Sequence, residues 1–136
     1  MLHNFKAIRR TVGLVLTLLC CSFASSLFAH HSAAMFDLEK EVKVEGTVKK
    51  FQFTNPHVWI HVSVTDENGA ETVWKVEALN PNALKRKGWK RNSFVKGDTV
   101  SLTFYPAKSG DPKGYFIRAT TADGTELGQI FTDRVR

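Results

Sequence analysis

Cysteine is nearly absent from this chain, and what there is sits at one end. The only two, Cys20 and Cys21, fall within the first 29 of 136 residues. The apolar stretch 12–19 just before them, with the basic residues Lys6, Arg9 and Arg10 ahead of it and the small-residue exit 22–29 after the cysteines, reads as an export signal cleaved near Ala29. Leu18 and Leu19 lack the small residue that a lipoprotein signal needs just ahead of its cysteine, so ordinary cleavage is expected. Both thiols then leave, and the remaining chain is expected to fold without a disulfide in an oxidising compartment, the periplasm. The apolar run of the signal is too short to span a bilayer, which takes about 20 residues, and no later stretch is apolar enough. The mature chain is therefore expected to carry no transmembrane segment.

Strong charge of one sign is lacking too. The whole chain carries a formal net charge of +6, from 19 Lys and Arg against 13 Asp and Glu. Removing residues 1–29 takes away three basic residues and no acidic ones, which leaves 107 residues at +3. That balance makes nucleic acid an unlikely partner. A chain of this size supports one modest core. Catalytic signatures are missing as well: no Gly-rich phosphate loop, no metal-hydrolase motif and no serine in a nucleophile-elbow setting. Glu77 and Asp98 read as lone acids. No enzyme activity is expected.

What is present is period-two alternation. After a short lead over 30–41, Val42, Val44, Gly46 and Val48 share one parity in a first strand that reaches about Phe51. Gly46 inside it marks a bend or a close approach of another backbone. Asn55-Pro56 punctuates the chain, and a second strand follows over 57–65. Val58, Ile60, Val62 and Val64 lie on one of its faces and His57, Trp59, His61 and Ser63 on the other. The valine row makes the better core, but parity alone leaves open which face is buried. Asp66-Glu67-Asn68-Gly69 is a hairpin turn, and a third strand runs over 71–79. Asn80 as N-cap, Pro81 at the first helical position and Gly88 at the end bound a helix of about two turns. Further strands are expected over 99–105, 115–121 and 126–131.

This order predicts an all-β fold with one short helix, a small five- to six-stranded OB-like β-barrel over 42–136. Another half-open barrel or a sandwich fits the same strand order. The basic cluster Lys85, Arg86, Lys87, Lys90 and Arg91 is expected to be a solvated helix face.

The motifs His30-His31-Ser32, Gly46-Thr47-Val48, Thr54-Asn55-Pro56-His57-Val58-Trp59-Ile60 and Trp74-Lys75-Val76-Glu77 resemble a bacterial family of small exported proteins of unknown function. Pro81-Asn82-Ala83-Leu84 with Arg86, Gly88-Trp89 and Lys96-Gly97-Asp98 extend the resemblance over almost all of the mature chain. Phe53 stands where many relatives are expected to have tryptophan. The resemblance implies export and a single β-rich domain, and it implies no activity.

Two binding readings follow from the residues. Cleavage after Ala29 would make His30 the N-terminal residue, whose amine and imidazole chelate a metal together. With His31 and His57 they form a nitrogen-rich set suited to copper, and Met35 is a soft ligand for Cu(I). His57 and His61 lie about 13 Å apart along a strand, too far to share one ion. The second reading is a ligand- or protein-binding face built from Asn55, Trp59 and His61, with Trp74 on the neighbouring strand. A metal ion or a periplasmic protein is the expected partner.

Overall fold

Among the described residues six strands form from the alternating segments, and five of them close on themselves. The computed structural model describes residues 31–129. The proposed signal, His30 and the end of the last expected strand lie outside the described residues. A four-residue helical turn, α1 (His31–Ala34), belongs to one compact unit, and the barrel belongs to a second that begins at Met35.

The barrel strands are β1 (Val42–Gln52), β2 (Val58–Thr65), β3 (Glu71–Ala78), β4 (Thr99–Pro106) and β5 (Lys113–Thr121), with a short β6 (Glu126–Gly128) beyond them. Neighbours run in the order β3-β2-β1-β4-β5-β6, and a parallel pairing of β3 with β5 closes the first five into an OB-like barrel. A single short helix, α2 (Pro81–Lys85), stands between β3 and β4.

The length of β1 makes closure possible. Its first half, 42–47, pairs with β4, and its second half pairs with β2. Gly46 sits where the two partners meet. A Cβ there would lie 2.2 Å from the Ser63 carbonyl oxygen and 2.8 Å from a Val62 methyl, so the close approach expected at this glycine is real. Just beyond, Lys49 is the extra residue of a bulge: Val48 opposes Val62, but Lys50 opposes His61. The bulge reverses the parity of β1. Phe51 therefore turns inward with its partner Ile60, against the simple alternation expected from Val42 onward.

On β2 the valine row is the buried one. Val58, Ile60 and Val62 are fully buried, while Trp59 and His61 lie half-buried on the outer side. Val48, Val76, Leu102, Phe104 and Phe116 complete the interior. α2 plugs one end of it. Asn80 Oδ1 accepts from Ala83 N–H at 2.9 Å, Pro81 opens the helix, and Gly88 ends the segment at φ +87°. Leu84 and Trp89 are delivered to the core, and the Trp89 indole N–H donates to the Gly128 carbonyl at 3.1 Å. Of the basic cluster, Lys85, Arg86, Lys90 and Arg91 are exposed.

The lead does more than precede the barrel. Phe36 is buried, bridges Ala107, and stacks on Tyr115 with ring centroids 5.6 Å apart.

Candidate functional site

The outer faces of β1, β2 and β3, with the loop before β2, border an open cleft of about 370 Å³. Its lining includes Asn55, His57, Trp59 and His61, four of the residues singled out by motif and parity, together with Gln52, Thr54, Pro56 and Lys75. The loop bends through a cis peptide between Asn55 and Pro56. Val58 N–H then bonds the Leu79 carbonyl at 3.2 Å, which fixes the start of β2 and the position of His57 just before it.

Register organises the face into two rows. Gln52, Trp59, Glu77 and Tyr115 are successive partners across β1, β2, β3 and β5. One step along, Lys50, His61, Lys75 and Lys113 make the second row. Period-two geometry puts every member of both rows on the outer side.

Glu77 departs from its neighbours because it is only 7% exposed although it lies on the outer face. The His57 imidazole meets it, Nδ1 to carboxylate, from a side chain that is 40% exposed. Burial raises the Glu77 carboxyl above its ordinary pKa, and the charge and hydrogen bond of His57 act against that rise. The Tyr115 hydroxyl is pushed up as well, first by burial and then by the negative charge of Glu77. His61 moves the other way. Burial lowers its pKa, and the neighbouring Lys50 and Lys75 ammoniums lower it further.

Trp74 does not join this site. Its partner on β2 is Val62, so it faces the barrel interior, where its ring lies 4.9 Å from that of Phe104. Even-numbered positions of β3 face inward and odd ones outward, and that parity separates Trp74 from Trp59. Of the expected metal set, His57 lies in the cleft, the His31 side chain and His30 are outside the described groups, and Met35 is exposed. Among the described residues no three His, Cys, Asp or Glu side chains gather closely enough to hold a metal ion.

Glu77, Lys75 and Gln52 were not among the expected site residues. A usable signal existed for two of them. The turn after Thr65 sets Thr65 opposite Glu71, and counting outward places Lys75 opposite His61 and Glu77 opposite Trp59.

The model of the Family of unknown function (DUF6152) matches residues 17–116. No curated protein matches the chain. Among solved structures, it is similar to two chains of the mitochondrial single-stranded DNA-binding protein Rim1 of S. cerevisiae, one of them selenomethionine-labelled. The TM-scores are 0.47 and 0.46, at 9% and 10% identity, over 61% and 60% of this chain and 93% and 92% of theirs. Among the described residues, no helix is long and apolar enough to cross a membrane.

Proposed function

This chain belongs to the Family of unknown function (DUF6152), and we propose that it is an exported, non-enzymatic binding protein of the periplasm whose cleft takes a small ring-bearing ligand. One observation carries the reading: Asn55, His57, Trp59 and His61 converge on a single concavity of about 370 Å³. That volume lies toward the small end of the range for small-molecule sites. Trp59 offers a face for stacking, Gln52 and Asn55 offer amide donors and acceptors, and Glu77 holds the His57 ring in place. A half-buried tryptophan between two histidines on the outer face adds nothing to the barrel core, which favours a contact with something else.

The test is a nuclear magnetic resonance screen of single-ring fragments against the mature chain. Binders should shift the signals of Asn55, His57, Trp59 and His61 together, and Trp59→Ala should abolish those shifts. Shifts scattered over the surface, or unchanged by that substitution, would remove the cleft as the site.

A second reading has one specific observation behind it. A metal-bound imidazole usually has its other ring nitrogen held by a carboxylate, and Glu77 holds Nδ1 of His57, so Nε2 is the atom left to coordinate. His57 would then supply one nitrogen to copper, and a processed N-terminus would supply others from His30 and His31. Cu(II) titration with electron paramagnetic resonance tests this on the mature chain, on His57→Ala, and on a chain with one extra residue before His30. Copper affinity that is the same in all three ends the copper reading.

A further inference from the structure

We propose that the ligand of this cleft is an anion carried on a planar ring, with Lys75 receiving the negative group beside His61, Lys50 adding its charge from the position opposite His61 on β1, and Trp59 stacking the ring. The inference rests on the cleft being the binding site, and it adds the chemical class of what binds there.

The carrying observation is a difference among the five strand lysines. Lys43 is 3.8 Å from a Glu45 oxygen, Lys49 is 3.1 Å from Glu71, and Lys113 is 3.3 Å from Asp111. Lys50 and Lys75 have no carboxylate within ion-pair distance among the described residues. These two flank His61 on either side, as its partners on β1 and β3. Burial lowers the His61 pKa, and the charges of these two lysines lower it further. Two ammoniums without a carboxylate partner, one on either side of His61, form a concentration of positive potential that an incoming anion relieves.

The acids of β3 do not relieve it, and Asp111, beside the Pro112 carbonyl that bonds Lys75 N–H, is engaged by Lys113. Glu77 is one step along β3, but its carboxylate is buried against His57. Glu71 lies at the other end of β3 and is engaged by Lys49. Lys75 and His61 line the same cleft as Trp59, while Lys50 lies outside its lining, opposite His61 on β1, so the Lys75 charge and the aromatic face are available to one small molecule and Lys50 adds to the potential there. A ring with a single anionic substituent fits that combination and that volume.

The experiment compares four probes by nuclear magnetic resonance titration of the mature chain: benzoate, phenyl phosphate, neutral benzamide and inorganic phosphate. Benzoate and phenyl phosphate should bind at least tenfold more tightly than benzamide and than inorganic phosphate, with shifts at Trp59 and His61. The ratio between the two ring anions distinguishes a carboxylate from a phosphate ligand. Lys50→Gln and Lys75→Gln should each weaken benzoate about threefold, the scale of a partly solvated charge pair. Lys49→Gln, at a lysine already paired, should leave binding unchanged.

Benzamide binding as tightly as benzoate would overturn the anion inference and leave the cleft reading standing. Equal weakening by Lys49→Gln would also overturn it, because that is the response of bulk positive charge of the kind an extended polyanion reads. No shift at Trp59 or His57 with any probe would overturn both.

Discussion

Removing His57 should expose how much the fold relies on a buried carboxylate having a partner. Glu77 is 7% exposed and its ion-pair partner is 40% exposed. Breaking a fully buried pair costs about 3–5 kcal/mol, while an exposed one contributes about 0–1 kcal/mol. With one partner buried and the other partly solvated, His57→Ala should cost about 1–3 kcal/mol at neutral pH, the range for stranding a buried polar group. Glu77→Gln should cost less than about 1 kcal/mol, because a neutral amide still accepts from the imidazole and no charge is left buried. In the double variant the two losses should not add, since the second change removes the group that the first one stranded.

The sign of the pH dependence is a sharper test. Burial already raises the Glu77 carboxyl, and His57 is what restrains it. Without His57 it rises further, so the folded chain holds a proton that the unfolded chain releases above about pH 4.3. Stability of His57→Ala is then fullest below that value and is lost as pH climbs through the raised carboxyl. Urea unfolding of His57→Ala and of His57→Ala/Glu77→Gln, followed by circular dichroism at pH 5 and pH 7.5, isolates the effect of Glu77. All other titrating groups are common to both. The single variant should lose stability relative to the double variant as pH rises. Equal pH slopes, with a cost of His57→Ala below about 0.5 kcal/mol, would mean that water or another group satisfies Glu77, and the reasoning would be wrong.

Three further outcomes follow from particular contacts. Gly46→Ala places a methyl 2.2 Å from the Ser63 carbonyl oxygen, a backbone atom with little room to yield, so it should cost at least the roughly 1–3 kcal/mol of an overpacked core, read as a lower urea midpoint. Asn80→Ala removes the acceptor for Ala83 N–H and should cost about 1 kcal/mol by the same assay. Gln129 is buried, accepts from Leu79 N–H at 2.8 Å and donates to the Phe116 carbonyl. Gln129→Ala strands both backbone groups and should cost about 1–3 kcal/mol, with faster amide exchange at Leu79 as its local signature.

Most of the barrel was legible because each strand announces itself by parity and each boundary by a turn or cap residue. Asn80 and Pro81 marked the start of the helix correctly because each has a local reason to be where it is, whereas the helix ends at Lys85, short of the two turns expected, and Gly88 closes the turn after it. Closure was legible only as a strand order, since the parallel pairing of β3 with β5 joins segments about 40 residues apart and leaves no local trace. The bulge at Lys49 was hidden for the same reason. Nothing in the residues around it distinguishes an extra lysine from an ordinary outward one, yet it decides that Phe51 faces inward and Gln52 outward. The role of the lead was missed because a single buried aromatic, Phe36, does the packing without any alternation to reveal it. On the site, the row of His57, Trp59 and His61 was visible from β2 alone. Trp74 was misplaced and Glu77 overlooked because both required register between strands, which alternation within one strand does not contain.

Alternation on β2 separates what holds the barrel from what lines the cleft. Val58, Ile60 and Val62 are buried to the last atom, and substitutions there act through packing. Trp59 and His61 point the other way, so changes there should alter binding with little loss of stability. Glu77 breaks that division. It occupies an outward position, opposite Trp59, but is buried as deeply as a core residue and depends on His57 for its partner. A barrel of this size gains no packing from a carboxylate at that place, and an apolar side chain would be buried there at lower cost. What the acid does there is hold His57: it engages Nδ1, fixes the orientation of the ring and leaves Nε2 as the ring nitrogen it does not hold. The position that is hardest to explain by stability is therefore the one that sets the His57 ring at the cleft.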